Sequence, residues 1–251
     1  MEPNWNAILK NAAKLKEVLA YPFLLEAYPH SMLDAAGFAG QLLGSDPRKR
    51  YSDYIARLEP IFQCLHQAGV SGYAHLMEHC GSQEDLQTLA SRADLAPDDI
   101  GTVLGFLASW VFPNKIYLRE LLDKDDTATK LFVTHLRECG IRFNLDVLQR
   151  GRTRQGRREL SAETDVPEDV IFMLVCRADL ARIPFASGSA MRTYTHAGYP
   201  TLQALTESDV QTLMEDVRRY MASIGKDSRY GIEPDGSRAN AVVMPKIIEV
   251  D

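Results

Sequence analysis

The chain repeats itself at a spacing of 71 residues. Leu65-His66-Gln67-Ala68-Gly69-Val70 returns as Leu136-Arg137-Glu138-Cys139-Gly140-Ile141. The register continues without a gap, setting Leu89 on Leu160, Asp94 on Asp165, Leu95 on Val166, Asp98 on Asp169 and Ile100 on Ile171. A shorter echo follows at Ala197-Gly198-Tyr199, with Leu202 and Leu205 three and six residues past the tyrosine, as Tyr73 and Leu76 stand past Val70. What is kept is apolar spacing and glycine at helix ends rather than residue identity. A chain built this way must pack similar units together, which points to a scaffold before it points to an enzyme.

With 251 residues and 45% apolar side chains the chain can build an ordinary core in one large or two smaller domains. Its formal net charge of −6 is unevenly placed: 11 basic against 17 acidic side chains through residue 129, then 17 against 17. The acidic half argues against nucleic acid wrapped over the whole surface, while the balanced half leaves room for a local basic patch. Cys64, Cys80, Cys139 and Cys176 lack C-x-x-C pairing and lie in helical patterns, which reads as buried free thiols in a reducing compartment. No apolar run approaches the ~18 to 20 residues that span a bilayer, and Met1-Glu2-Pro3-Asn4 is not the basic start of a secretory signal. The expectation is a soluble, cytoplasmic protein with no membrane contact.

Helix signals dominate. Trp5, Ile8, Leu9, Ala12, Leu15, Val18 and Leu19 form one apolar stripe closed by Tyr21-Pro22. Ser82 with Asp85 resembles a capping box, and Pro97 and Pro167 sit where a first helical turn tolerates proline. Val210, Leu213, Met214, Val217, Tyr220, Met221 and Ile224 give a last helix, with Thr206 as its cap and Gly225 as its stop. Lys226 to Asn240 reads as a linker, and Ala241-Val242-Val243-Met244 and Lys246-Ile247-Ile248-Glu249-Val250 as β-type runs of an extended tail divided by Pro245. The division is then an N-terminal helical region over 1–60, ended by a kink or break at Glu59-Pro60, a repeat region over 61–225, and a linker and tail over 226–251. The fold class that follows is all-α, with a short extended C-terminal tail. Tyr21, Phe23, Tyr28, Tyr51 and Tyr54 are assigned to core packing, with a protein-docking surface as the alternative.

Asp179-Leu180-Ala181-Arg182-Ile183-Pro184-Phe185-Ala186-Ser187-Gly188-Ser189-Ala190-Met191, followed by Ala197-Gly198-Tyr199, resembles a helix-hairpin-helix unit. In that motif two short helices flank a glycine-containing turn whose backbone N–H groups can bind phosphate. Gly151 to Ser161, Thr164-Asp165-Val166 and Ala178 to Ile183 are similar to an uncharacterised bacterial domain-of-unknown-function family with tandem helix-hairpin-helix-like units. The resemblance covers about 131–225, with a diverged copy at about 61–125, and implies tandem units of that kind without implying a biochemical role. Phe185 and Ser187 stand where small residues usually flank the turn, and a phenylalanine there obstructs close approach of a phosphate.

Arg150, Arg152, Arg154, Arg157 and Arg158 are the densest cationic cluster. A helix from about Thr153 sets Arg154, Arg157 and Arg158 on one face. The cluster, with Ser187, Gly188 and Ser189, is the candidate anion or nucleic-acid site. Glu159, Glu163, Glu168 and Asp169 follow closely enough to neutralise it as a salt-bridged surface. Charge reversal of Arg154, Arg157 and Arg158 is expected to weaken partner binding without unfolding the chain. His75-Leu76-Met77-Glu78-His79 spells the H-x-x-E-H of inverted zinc peptidases, but the repeat sets the two histidines opposite Asp146 and Arg150, as exposed positions of a short helix. His196 and His135 read as helix-end and helix-surface residues, and Asp98-Asp99 and Asp125-Asp126 as carboxylates at helix starts. Nucleophile elbows, phosphate loops and dinucleotide fingerprints are missing. No catalytic residues, metal or cofactor are assigned. The expected role is a non-enzymatic binding or adaptor protein that holds a protein partner or forms a homo-oligomer. The alternative is a nucleic-acid-associated protein that contacts phosphates through the arginine cluster and the 184–189 turn.

Overall fold

A computed structural model describes residues 3–29, 31–46, 50–185, 188–226 and 233–250. The fold is all-α; among the described residues the only β pairing is an isolated antiparallel bridge between Tyr117 and Phe143. The chain forms two compact units, residues 1–113 and 114–251. This boundary falls inside the 61–225 repeat region, so the two copies at the 71-residue spacing lie in different units.

The first unit holds α1 (Trp5–Leu19), α2 (Pro22–Ala27), α3 (Met32–Gly44), α4 (Ser52–Gln67), α5 (Tyr73–Glu78), α6 (Gln83–Arg92) and α7 (Pro97–Phe106), ending in a π-helical turn over Leu107–Val111. The stripe of α1 is buried at Ile8, Ala12, Leu15, Val18 and Leu19 and packs on α7, while α3 packs on α4. Phe106 takes edge-on contacts from Phe62 and Tyr54, and Tyr28 and Tyr73 meet Phe112. The break expected at Glu59-Pro60 does not occur: α4 runs through Pro60. Pro60 and Ala56, the residue whose carbonyl loses its N–H partner, are both exposed, so water replaces the missing bond.

The second unit holds α8 (Thr127–Glu138), α9 (Asn144–Gly151), α10 (Arg154–Thr164), α11 (Glu168–Leu180), α12 (Gly188–His196), α13 (Leu202–Glu207), α14 (Val210–Ser223) and α15 (Pro234–Val243). At its centre is α11, buried continuously from Leu174 to Leu180 and packed on α9, α10, α12 and α13. Asp209, not Thr206, caps α14, accepting from the Thr212 N–H at 3.0 Å, because the chain turns between α13 and α14 after Thr206. Residues 234–243, read as part linker and part β-run, are helical. Pro234 starts α15 at a position that needs no N–H partner, and Ala241 buries against the unit.

The spacing seen in the sequence recurs in the backbone. Gly69, Gly140 and Gly198 take positive φ values of 82°, 86° and 103°, which only glycine adopts without strain. In each case the next residue returns its N–H five positions: Val70 to the Leu65 carbonyl at 3.0 Å, Ile141 to Leu136 at 2.9 Å and Tyr199 to Tyr194 at 2.9 Å. A short helix follows each turn, namely α5, α9 and α13. Asp94 and Asp165 share a φ of 55°, and the N-caps Ser82 and Thr153 hold the same 71-residue register.

Candidate functional site: the arginine cluster and the C-terminal strap

The helix α10 begins at a tight corner. Thr153 caps it, its hydroxyl accepting from the Gly156 N–H at 3.0 Å. A Cβ on Gly156 would lie 2.0 Å from the Arg150 carbonyl oxygen, so the corner admits no side chain there. Gly156→Ala is expected to cost about 3 kcal/mol through backbone displacement, read as a fall in the urea midpoint.

That corner distributes the five arginines differently from the helical-wheel expectation. Arg150 pairs with Glu163 through its two terminal nitrogens, Nη1 and Nη2, an arrangement that holds the Glu163 carboxyl below its usual range. Arg158 is exposed and lies 3.9 Å from Glu168. Arg154 is exposed, but its backbone N–H is engaged, donating to the Glu249 carboxylate at 2.7 Å. Arg152 is half-buried and its carbonyl accepts from the Glu249 N–H at 2.8 Å. Arg157 has 0% exposure. It points into the unit rather than sharing an outer face with Arg154 and Arg158. Its Nη1 donates to the Glu249 carbonyl at 3.0 Å and the Gly151 carbonyl at 3.5 Å, and its guanidinium lies over the Phe172 ring. A charge reversal that includes Arg157 therefore disturbs the interior, correcting the expectation that the triple reversal spares the fold.

A second buried arginine works beside it. Arg182, just past α11, places Nε 2.8 Å and Nη2 2.6 Å from Asp179 Oδ1, and Nη2 also donates to the Pro245 carbonyl at 3.0 Å. Both side chains are buried, and burial pushes the Asp179 carboxyl upward while Arg182 opposes the shift. Residues 244–250 are thus an extended strap held to the unit at Pro245 and Glu249. Met244 is buried, Ile247 and Ile248 are half-buried, and Lys246, Glu249 and Val250 are exposed. Beneath the strap lies a cavity of about 260 Å³, lined by Asp179, Leu202, Ala241, Met244, Ile247 and Ile248 among others.

The 184–189 turn sits elsewhere in the unit. Ser187 lies outside the described residues. Phe185 adopts a φ of 60° and is 67% exposed. Gly188 and Ser189, at the start of α12, border an open hollow of about 480 Å³ with Arg119, Lys124, Lys130 and Arg192. Arg192 is engaged there, donating to the Glu120 carbonyl at 2.9 Å. A Cβ on Gly188 would come 2.8 Å from that same carbonyl.

One polar knot was not foreseen. Asp123 accepts from Arg177 at 3.1 Å and lies 2.9 Å from His196 Nε2, whose ring stacks on Tyr220. Burial raises the Asp123 carboxyl, but the His196 contact and the Arg177 charge outweigh it and leave it below its usual range. In the first unit His75 and His79 face each other with Nε2 atoms 3.2 Å apart, and the Arg92 guanidinium stands 3.2 Å from His79 Nε2. Burial and Arg92 lower the His79 pKa, and among the described residues no group of three His, Cys, Asp or Glu side chains converges for a metal ion. Of the four cysteines, none is in a disulfide; Cys139 is exposed at the end of α8, where the reading of buried thiols does not hold.

Residues 128–242 match a domain of unknown function, DUF4332. No curated protein and no solved structure matches the chain. The DUF4332 match begins one residue inside α8 and ends one residue before the end of α15. It includes the arginine corner and the Asp179–Arg182 pair, takes in Lys130, Gly188, Ser189 and Arg192 of the α12 hollow but not its Arg119 to Lys124 side, and stops short of the strap. Among the described residues, no helix is long and apolar enough to cross a membrane.

Proposed function

We propose that this protein is a non-catalytic helical scaffold of the reducing cytoplasm. In this reading it uses helix-hairpin-helix-like units to hold a protein partner or a second copy of itself. The observation that carries the reading is the recurrence of one backbone unit, with a left-handed glycine, a hydrogen bond five residues back and a short helix, at Gly69, Gly140 and Gly198. Recurring units bury their apolar faces on neighbours and present what is left to other chains. The buried polar side chains support the same reading, since Arg157, Arg177, Arg182 and Asn144 all donate to backbone carbonyls and so hold chain segments in place. Four free cysteines support the reducing compartment.

The α12 hollow favours a second reading, phosphate-backbone contact with nucleic acid, because four cationic side chains border it against the two carboxylates Glu120 and Asp123. One experiment separates the two. The purified full chain is followed by light scattering across a wide concentration range and by anisotropy against DNA and RNA over a salt series. A fixed stoichiometry with itself or with one co-purifying chain, unmoved by salt, is the expected result. A monomer at all concentrations that binds nucleic acid at low salt and loses it on Lys124→Glu with Lys130→Glu would overturn the scaffold and establish the second reading.

A further inference from the structure

We propose that the groove beneath residues 244–250 is a docking site for an extended segment of a partner protein, and that the protein's own strap is its resident occupant. The partner segment carries a bulky apolar residue and, two residues later, a glutamate, as Ile247 and Glu249 are placed here. This rests on the scaffold reading and names the class of partner.

The cationic groups of the groove belong to the domain, since Arg157 lies in α10 and Arg182 just past α11. Arg157 and Arg182 are buried, and each donates to a main-chain carbonyl of the strap, at Glu249 and Pro245. Those carbonyls are four residues apart, about 13 Å along an extended chain, and any extended peptide offers the same pair of acceptors. The third contact is to a carboxylate: Glu249 accepts the Arg154 N–H at the start of α10, where a negative charge is favoured. The Glu249 N–H completes the clamp on the Arg152 carbonyl.

The strap fills the groove poorly. Its two isoleucines are half-buried over a cavity of about 260 Å³, larger than the roughly 150 Å³ in which benzene is held by an engineered protein cavity. Leu202 and Ala241 of the domain give that cavity an apolar wall, with Asp179 at its polar side. A larger apolar side chain at the position of Ile247 would occupy space that the strap leaves open. The DUF4332 match contains both arginines and ends at residue 242, before the strap begins.

The test uses full-length chain and a labelled peptide with the sequence of residues 244–251. Glu249→Lys in the protein places an ammonium at the start of α10 and loosens the resident strap, so this variant is expected to bind the peptide at least tenfold more tightly than the wild type does. A peptide carrying Ile247→Phe should bind several-fold tighter still, and one carrying Glu249→Lys should not bind. Should the variant fail to fold, hydrogen exchange of the wild-type chain decides: excess Ile247→Phe peptide should speed exchange at the Glu249 amide and leave α11 unchanged. Equal or absent binding to a folded variant and the wild type, or a Glu249 amide indifferent to peptide, would show the strap to be a permanent part of the fold. A chain that assembles at fixed stoichiometry yet ignores the peptide would sink this proposal and leave the scaffold standing.

Discussion

Arg157→Glu is expected to remove the cooperative unfolding transition of the second unit, with far-UV circular dichroism through a urea titration as the readout. The guanidinium has 0% exposure and donates to two backbone carbonyls, Glu249 at 3.0 Å and Gly151 at 3.5 Å. A carboxylate in its place turns a donor into an acceptor and sets a negative charge against those same oxygens. An ion stripped of water without a partner costs several kcal/mol even after relaxation, against a total stability of about 5–15 kcal/mol for a domain. Arg157→Met keeps much of the volume over Phe172 and removes the charge, so its loss should be smaller, about 2 kcal/mol, from the carbonyls left without a donor. The control is Arg154→Glu with Arg158→Glu. Both side chains are exposed, and reversing them should change stability by less than about 1 kcal/mol. An Arg157→Glu chain as stable as that control would mean that the guanidinium holds nothing in place.

The contrast among these three arginines marks where a sequence reading stops. Their spacing in α10 is the same three- and four-residue spacing that makes neighbours on a helix face, and all three look alike as letters. What separates Arg157 is the chain around it, namely the Gly156 corner, the Phe172 ring of α11 and a strap that returns from 92 residues away. The all-α class and several helix limits were legible because they rest on local chemistry. Ser82 caps α6 and Asp126 caps α8, with hydrogen bonds to Asp85 and Thr129, and the glycine turns come from a backbone region other residues avoid. Pro60 misled because its effect depends on which face of α4 it occupies, and it lies on the wet one. The run Ala241-Val242-Val243 misled because β-branched residues favour strands only where a pleated sheet packs them: here they continue α15 with Val242 exposed, and the buried member is Ala241. Asp179 and Arg182 were legible only as part of a hairpin-like motif. Three residues apart at the end of a helix, they become an ion pair only because α11 is buried all round at that end.

Removing that pair one member at a time should be far more damaging than removing it whole. Asp179→Leu leaves Arg182, with a fully buried side chain, facing Pro245 without its carboxylate, and breaking a buried pair from one side costs about 3–5 kcal/mol. Arg182→Met leaves the carboxylate alone beside an apolar cavity and should cost a similar amount. Asp179→Leu with Arg182→Met replaces both charges by apolar volume and should recover most of the loss, so that the double variant costs far less than the sum of the two single ones. Recovery should not extend to the strap. Without Arg182 the Pro245 carbonyl has lost its donor, so residues 246–250 should exchange amide hydrogens faster even where the double variant is as stable as the wild type. The pH dependence follows from the direction of the shift. Burial raises the Asp179 carboxyl in the folded chain above its unfolded value near 3.9, so between those two values folding takes up a proton. Stability then falls as pH rises through that window, the opposite of a carboxylate whose pKa folding lowers. Asp179→Asn should flatten this slope, and an unchanged slope in that variant would place the titration on another group.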